Sequence, residues 1–175
     1  TVRCAVVPGD RTNGRVALFV PSLCGGGAER MMVNLANEFS EKGSCVDIVL
    51  PRAEGPFLAS VSPEVRVVDL ATCRMRRSLV ALVRYLQRER PQAILSTLDY
   101  ANVLALWAKR LSRVPTRLVV REANVISPAV HEAGGLGTGV VSGMARHCYH
   151  WADAIVAVSC AVADDLARVV RVPRE

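Results

Sequence analysis

The sequence predicts an α/β protein with a doubly wound, mainly parallel sheet and helices on both faces. Apolar runs bounded by turn residues alternate with amphipathic stretches from Arg15 to Val170, the sequence form of repeated βαβ units. Hydrophobic residues make up 51% of the chain but aromatics only 5%, which suits strands sandwiched between helices better than an antiparallel sandwich. A length of 175 residues fits one domain with one substantial core.

The elements follow in order. Strands are expected over residues 15–20, 44–50, 65–70, 92–96, 116–121 and 154–158, and helices over 27–42, 75–90, 100–111, 140–151 and 159–170. Gly43 should end the first helix, at the position after the cap where positive φ is needed, and Ser159 should cap the last. Residues 134–139 (GGLGTG) follow Pro128 without periodicity and read as a loop at a strand's C-terminal end, where substrate contacts gather. Residues 1–14 precede the first convincing strand as an N-terminal extension, residues 15–172 form the domain, and residues 173–175 read as the start of a linker to a further, absent C-terminal domain.

Arg, Asp, Pro or Gly interrupts every apolar run well short of the roughly 18 residues that span a bilayer. The apolar patch from Cys4 to Val7 is too short for a secretory signal, so the reading is cytoplasmic. The six cysteines lack a CxxC pair and read as reduced, mostly buried thiols. His147, Cys148 and His150 are close in sequence, but neighbours on a helix point in different directions, so no metal is expected. A net charge of +6 favours anionic partners. Of 22 basic residues only Lys42 and Lys109 are lysines, a bias that a GC-rich genome alone would produce. Nucleic acid is not expected as a partner, since no recognition motif or aromatic platform accompanies the charge.

The chemistry concentrates in one stretch. The first strand runs into Pro21-Ser22-Leu23-Cys24-Gly25-Gly26-Gly27-Ala28-Glu29-Arg30, and a helix begins within the glycines. Residues without Cβ admit a phosphate close to the backbone, and the free amides and dipole of a helix's first turn stabilise its charge. A dinucleotide-binding fold needs G-x-G-x-x-G, yet Arg30 stands at the third glycine position. The second strand ends Val49-Leu50-Pro51-Arg52 rather than in an acid for the ribose hydroxyls. A tight turn with no ligand remains the plain structural alternative.

The run GGGAERMMVNLANEFSEKGSCVDIVL, from Gly25 to Leu50, resembles the opening of family-four glycosyltransferases. The segment Ala152-Asp153-Ala154-Ile155-Val156-Ala157-Val158-Ser159, followed by Val162 and Asp165-Leu166, resembles the segment that closes their N-terminal domain. With residues 95–111 and 118–124, the resemblance covers most of residues 15–172. It implies the N-terminal, acceptor-side half of a GT-B fold, a Rossmann-like domain facing a second one that holds most of the nucleotide-sugar. It further implies retention of anomeric configuration, transfer to a glycan or lipid-linked acceptor, no metal or other cofactor, and inactivity of this half alone. The competing reading is a nucleotide-binding module or dehydrogenase-like fragment without transferase activity.

Matched by position, Gly25, Gly26 and Gly27 would face the donor diphosphate. Glu29 lies where the family often places an acceptor-contacting residue, and equally where a first-turn acid complements the helix dipole. Arg121 and Asn124, at the end of the fifth strand, are candidates for acceptor binding, although Arg121 could instead pair with a neighbouring acid. Ala123 stands where many relatives carry a histidine, so no catalytic side chain is assigned, and His131 downstream is a weak substitute. On the helix over 75–90, Leu79, Leu82, Val83 and Leu86 form one face and Arg77, Arg84 and Arg88 another. That basic stripe is either a solvated surface or a contact for an anionic membrane.

Overall fold

A computed structural model of the chain describes residues 14–72, 75–123 and 147–170. Six strands form a single all-parallel sheet: β1 (Val16–Phe19), β2 (Val46–Leu50), β3 (Arg66–Asp69), β4 (Ala93–Thr97), β5 (Arg117–Glu122) and β6 (Ala154–Ala157), in the order β3-β2-β1-β4-β5-β6. Strand β1 is central, with Val16 in register with Val46 on one side and Ala93 on the other. The helices are α1 (Gly27–Glu41), α2 (Met75–Glu89), α3 (Asp99–Ser112) and α4 (Cys160–Val170). The doubly wound architecture expected from the alternation is therefore present, with element ends shifted by one or two residues.

Side-chain alternation on the strands separates two cores. Leu18, Val20, Ile48 and Leu50 pack with Met32, Val33 and Ala36 of α1. Ala17, Phe19, Val49, Ile94, Leu118 and Val120 pack on the other face with Leu82 and Leu86 of α2 and Leu104 of α3. On α2, Leu79 and Val83 join this core while Arg77, Arg84 and Arg88 stay exposed, as the periodicity predicts. Burying apolar side chains at roughly 25 cal/mol per Å² on both sheet faces supplies most of the drive for this arrangement.

The predicted helix boundaries hold. Gly43 has φ +84°, and its amide bonds to the Ser40 carbonyl. The Val162 amide donates to Ser159 Oγ at 3.3 Å, an N-cap for α4. The helix expected over 140–151 lies mostly outside the described residues; Tyr149–Trp151 form one 3-10 turn, with Trp151 edge-on to Trp107 at 5.0 Å. The glycine-rich loop over 134–139, the N-terminal extension and the linker also fall outside the described residues, apart from Gly14. The cysteine reading needs correction: Cys24, Cys45 and Cys160 are exposed and only Cys148 is buried among the described thiols. The three exposed ones sit in the glycine loop, before β2 and at the start of α4, where no apolar face shields them. Burial raises the Cys148 thiol's pKa.

Candidate active site

Strand order reverses between β1 and β4, so their C-terminal ends open a crevice between connections that leave in opposite directions. The glycine loop follows β1, Leu98-Asp99 follows β4, and Glu122-Ala123 ends β5. These three connections bring the chemistry-bearing residues together.

The loop is held from behind by the connection between β2 and β3. Pro56–Ser60 form a 3-10 turn, the Leu23 amide donates to the Glu54 carbonyl, and the Phe57 amide donates to the Leu23 carbonyl. Gly55, at φ +120°, lets this clamp close, since a Cβ there would lie 2.1 Å from the Leu23 carbonyl oxygen. Gly25 is at φ +130°, Gly26 caps α1 in an extended conformation, and Gly27 opens the helix. All three are exposed, and a Cβ on Gly25 or Gly27 would meet nothing within 4 Å. The loop thus presents bare backbone to the crevice.

Glu29 changes the electrostatics of that end. Its carboxylate folds back over the loop, so close that a Cβ on Gly26 would stand 1.9 Å from Oε2, and Ser22 Oγ donates to Oε1 at 3.5 Å. In this state Glu29 complements the α1 dipole. Tyr100, at the start of α3, is exposed; desolvation first, then the Glu29 charge, raises its hydroxyl pKa.

Arg121 lies half-buried at the end of β5 and donates to Thr97 Oγ1 at 3.1 Å, which fixes the guanidinium above the β4–β5 edge. Burial lowers its pKa, partly offset by Glu122, and it remains cationic at neutral pH. Asn124 and His131 fall outside the described residues.

Beneath Arg121 lies a polar network absent from the sequence reading. Glu122 is fully buried; Tyr149 Oη donates to its Oε2 at 2.6 Å and Asn102 Nδ2 at 3.3 Å, while the Ala123 amide donates to Oε1 at 3.2 Å. Ser96 Oγ donates to Asn102 Oδ1 at 2.8 Å, and Asn102 Nδ2 also reaches the Arg121 carbonyl at 3.1 Å. Burial, then the Glu122 charge, pushes the Tyr149 hydroxyl far above its ordinary range, so it stays a donor. The sequence signal was a polar residue inside an apolar run: Asn102 within ANVLAL and Glu122 at the end of RLVVRE. Of the closely spaced His147, Cys148 and His150, the histidines are exposed and the thiol buried, so they do not converge. At the second strand's end, where a dinucleotide enzyme carries an acid, Arg52 instead pairs with Glu54.

An all-parallel sheet in this order, with an exposed glycine loop at its switch point, defines the chain as a Rossmann-like domain. Solved structures share the fold. HepE of Anabaena, in complex with UDP-glucose, superposes with a TM-score of 0.67 at 18% identity over 89% of this chain and 40% of its own. Sucrose-phosphate synthase of Thermosynechococcus elongatus gives 0.70 at 14% identity over 92% and 46%. The lipopolysaccharide outer core galactosyltransferase WaaB gives 0.63 at 11% identity over 89% and 42%. The chain therefore spans less than half the length of these neighbours. Comparison with curated proteins yields no significant match. The sequence model of Glycosyltransferase Family 4 matches residues 25–175, and the chain belongs to that family.

Proposed function

We propose that this chain is the acceptor-side half of a retaining, hexosyl-transferring GT-B glycosyltransferase. In this reading it receives sugar from a nucleotide-sugar held mainly by a C-terminal domain, and passes it to a glycan or lipid-linked acceptor in glycan, polysaccharide or glycolipid synthesis. The observation that carries the proposal is the glycine loop at the switch point, whose exposed backbone opens α1 toward the crevice. Gly25, Gly26 and Gly27 would approach the donor diphosphate from across the cleft. Arg121, pinned by Thr97, would bind an anionic part of the acceptor or steady developing charge. UDP-glucose bound to HepE makes a UDP-sugar the first donor to test. Neither a metal nor another cofactor is part of the scheme.

The division of labour has a direct test. Calorimetry on this chain should show weak UDP-sugar binding and no transfer, with both restored in the protein that also carries the C-terminal domain. Tight binding by this chain alone would contradict the scheme. The exposed Arg77, Arg84 and Arg88, beside Val80 at 48% exposure, suit a peripheral contact with an anionic membrane on the cytoplasmic side. Replacing all three by Glu should abolish sedimentation with phosphatidylglycerol vesicles, and unchanged sedimentation would remove the membrane from the proposal.

A further inference from the structure

The chain has two tryptophans, Trp107 and Trp151, and the fold brings them together toward the strands' N-terminal ends, away from the crevice. Their rings meet edge-on at 5.0 Å, and exposed His150 lies edge-on to Trp151 at 5.4 Å. Both indoles are only half-buried. Leu111, one turn beyond Trp107 on the same side of α3, is 50% exposed. The charge beside them is of one sign: Arg110 and Arg113 are exposed and make no ion pair among the described residues, while Asp153 is taken by Lys109. In an all-parallel sheet each crossover helix runs back against the strands, and α2 and α3 pack on the same sheet face. Both therefore end on the side of the strands' N-termini, where the exposed Arg84 and Arg88 of α2 add to the charge of Arg110 and Arg113. Cations at helix C-termini complement the dipole, which accounts for Arg88 and Arg110 but not for the uncovered indoles and leucine next to them.

We propose that Trp107, Trp151 and Leu111 are the inserted part of a membrane contact, entering the headgroup region of an anionic leaflet while Arg110, Arg113, Arg84 and Arg88 hold its phosphates. This rests on the peripheral membrane contact proposed above and deepens it, from cations resting on a surface to an anchor that enters it. An indole, with an apolar body and a polar N–H, is at its most stable at the boundary between headgroups and acyl chains. Apolar side chains ringed by arginines match such a boundary in both respects, since an anionic leaflet offers a negative surface with apolar depth beneath it. A nucleic acid would supply the charge without the depth. The contact also sets the orientation of the domain. With the outer sides of α2 and α3 on the leaflet, the strands run along the membrane plane and the crevice at their C-terminal ends opens sideways, level with an acceptor anchored in the same leaflet.

Because Trp107 and Trp151 are the chain's two tryptophans, its indole fluorescence reads this surface alone. The test is that emission on titration with phosphatidylglycerol vesicles whose upper acyl carbons carry bromine, a quencher that acts at short range. Emission should move to shorter wavelength and be quenched, and brominated phosphatidylcholine vesicles should have little effect. Leu111→Ser should lower partitioning about three- to tenfold, because half of the leucine surface remains to be buried. Arg110→Ser and Arg113→Ser should each lower it about fivefold. All three positions are exposed, so the melting temperature serves as the check that the fold is intact. Sedimentation with phosphatidylglycerol vesicles without quenching would overturn the insertion and leave the electrostatic contact standing, whereas loss of both would remove the membrane altogether. Equal quenching by phosphatidylcholine would overturn the choice of an anionic leaflet. A shift to shorter wavelength that grows with protein concentration in the absence of lipid, together with a doubled mass in light scattering, would overturn the proposal in favour of a second copy of the chain.

Discussion

Replacing Gly27 by Ala separates what the glycine loop does for the fold from what it does for the reaction. Gly27 is the first residue of α1, lacks the positive φ that would strain an L-residue, and a Cβ there meets nothing within 4 Å. The methyl group costs no contact and reduces the freedom of the unfolded chain, so the fold should gain about 0.5–1 kcal/mol. For a domain of this size that raises Tm by about 1–4 °C. The same methyl projects about 1.5 Å into the space through which a diphosphate would approach the backbone. A displacement on the order of 1 Å at a reacting centre lowers turnover about a hundredfold. Thermal unfolding of this chain and UDP-sugar transfer by the enzyme that contains it should therefore move in opposite directions. Full turnover in Gly27→Ala would remove the loop from the donor path, and a lowered Tm would refute the open geometry at the helix start.

Gly55→Ala should do the reverse, destabilising by about 2 kcal/mol or more through the left-handed φ and the overlap with the Leu23 carbonyl, readable in urea unfolding. Asp47, fully buried, would be raised by desolvation, but bonds from Arg66, Tyr85 and Arg15 outweigh this and hold its pKa below the ordinary value. Its stabilisation is therefore present above the unfolded value of about 3.9 and is lost as pH falls through the lower native one. Melts between pH 7 and pH 2 should show this acid loss, and Asp47→Asn should flatten it; an equal slope in the variant would assign the loss to other carboxylates. Arg121→Ala should lower transfer about ten- to a hundred-fold with little change in Tm, because Arg121 is itself only half-buried and its one side-chain bond among the described residues is to Thr97. A large drop in Tm would make Arg121 a structural residue instead.

What the sequence made legible was what repeats locally. Strand and helix order followed from periods of two and 3.6, and the glycine loop from three adjacent residues between a strand and a helix. What it hid arises from residues far apart. Tyr149 reaches Glu122 across 27 residues and Asn102 across 47, and no local pattern announces such a meeting. The clamp on the glycine loop is made by backbone groups of Leu23, Glu54 and Phe57, so side-chain patterning carries no trace of it beyond Gly55-Pro56. The thiols misled for a related reason: Cys24, Cys45 and Cys160 belong to connections, where apolar periodicity does not apply.

The two buried carboxylates show how one sheet assigns stability and chemistry to opposite ends. Asp47 lies toward the strands' N-terminal end and is surrounded by cations: Arg15 at 2.7 Å and Arg66 at 2.6 Å, with Glu89 balancing Arg66 at 2.8 Å. With two positive and two negative groups, its field is cancelled locally and extends little beyond them. Glu122, at the C-terminal end, accepts hydrogen bonds from Tyr149, Asn102 and the Ala123 amide. Arg121, next in the chain, feels that charge as a partial offset to its own desolvation.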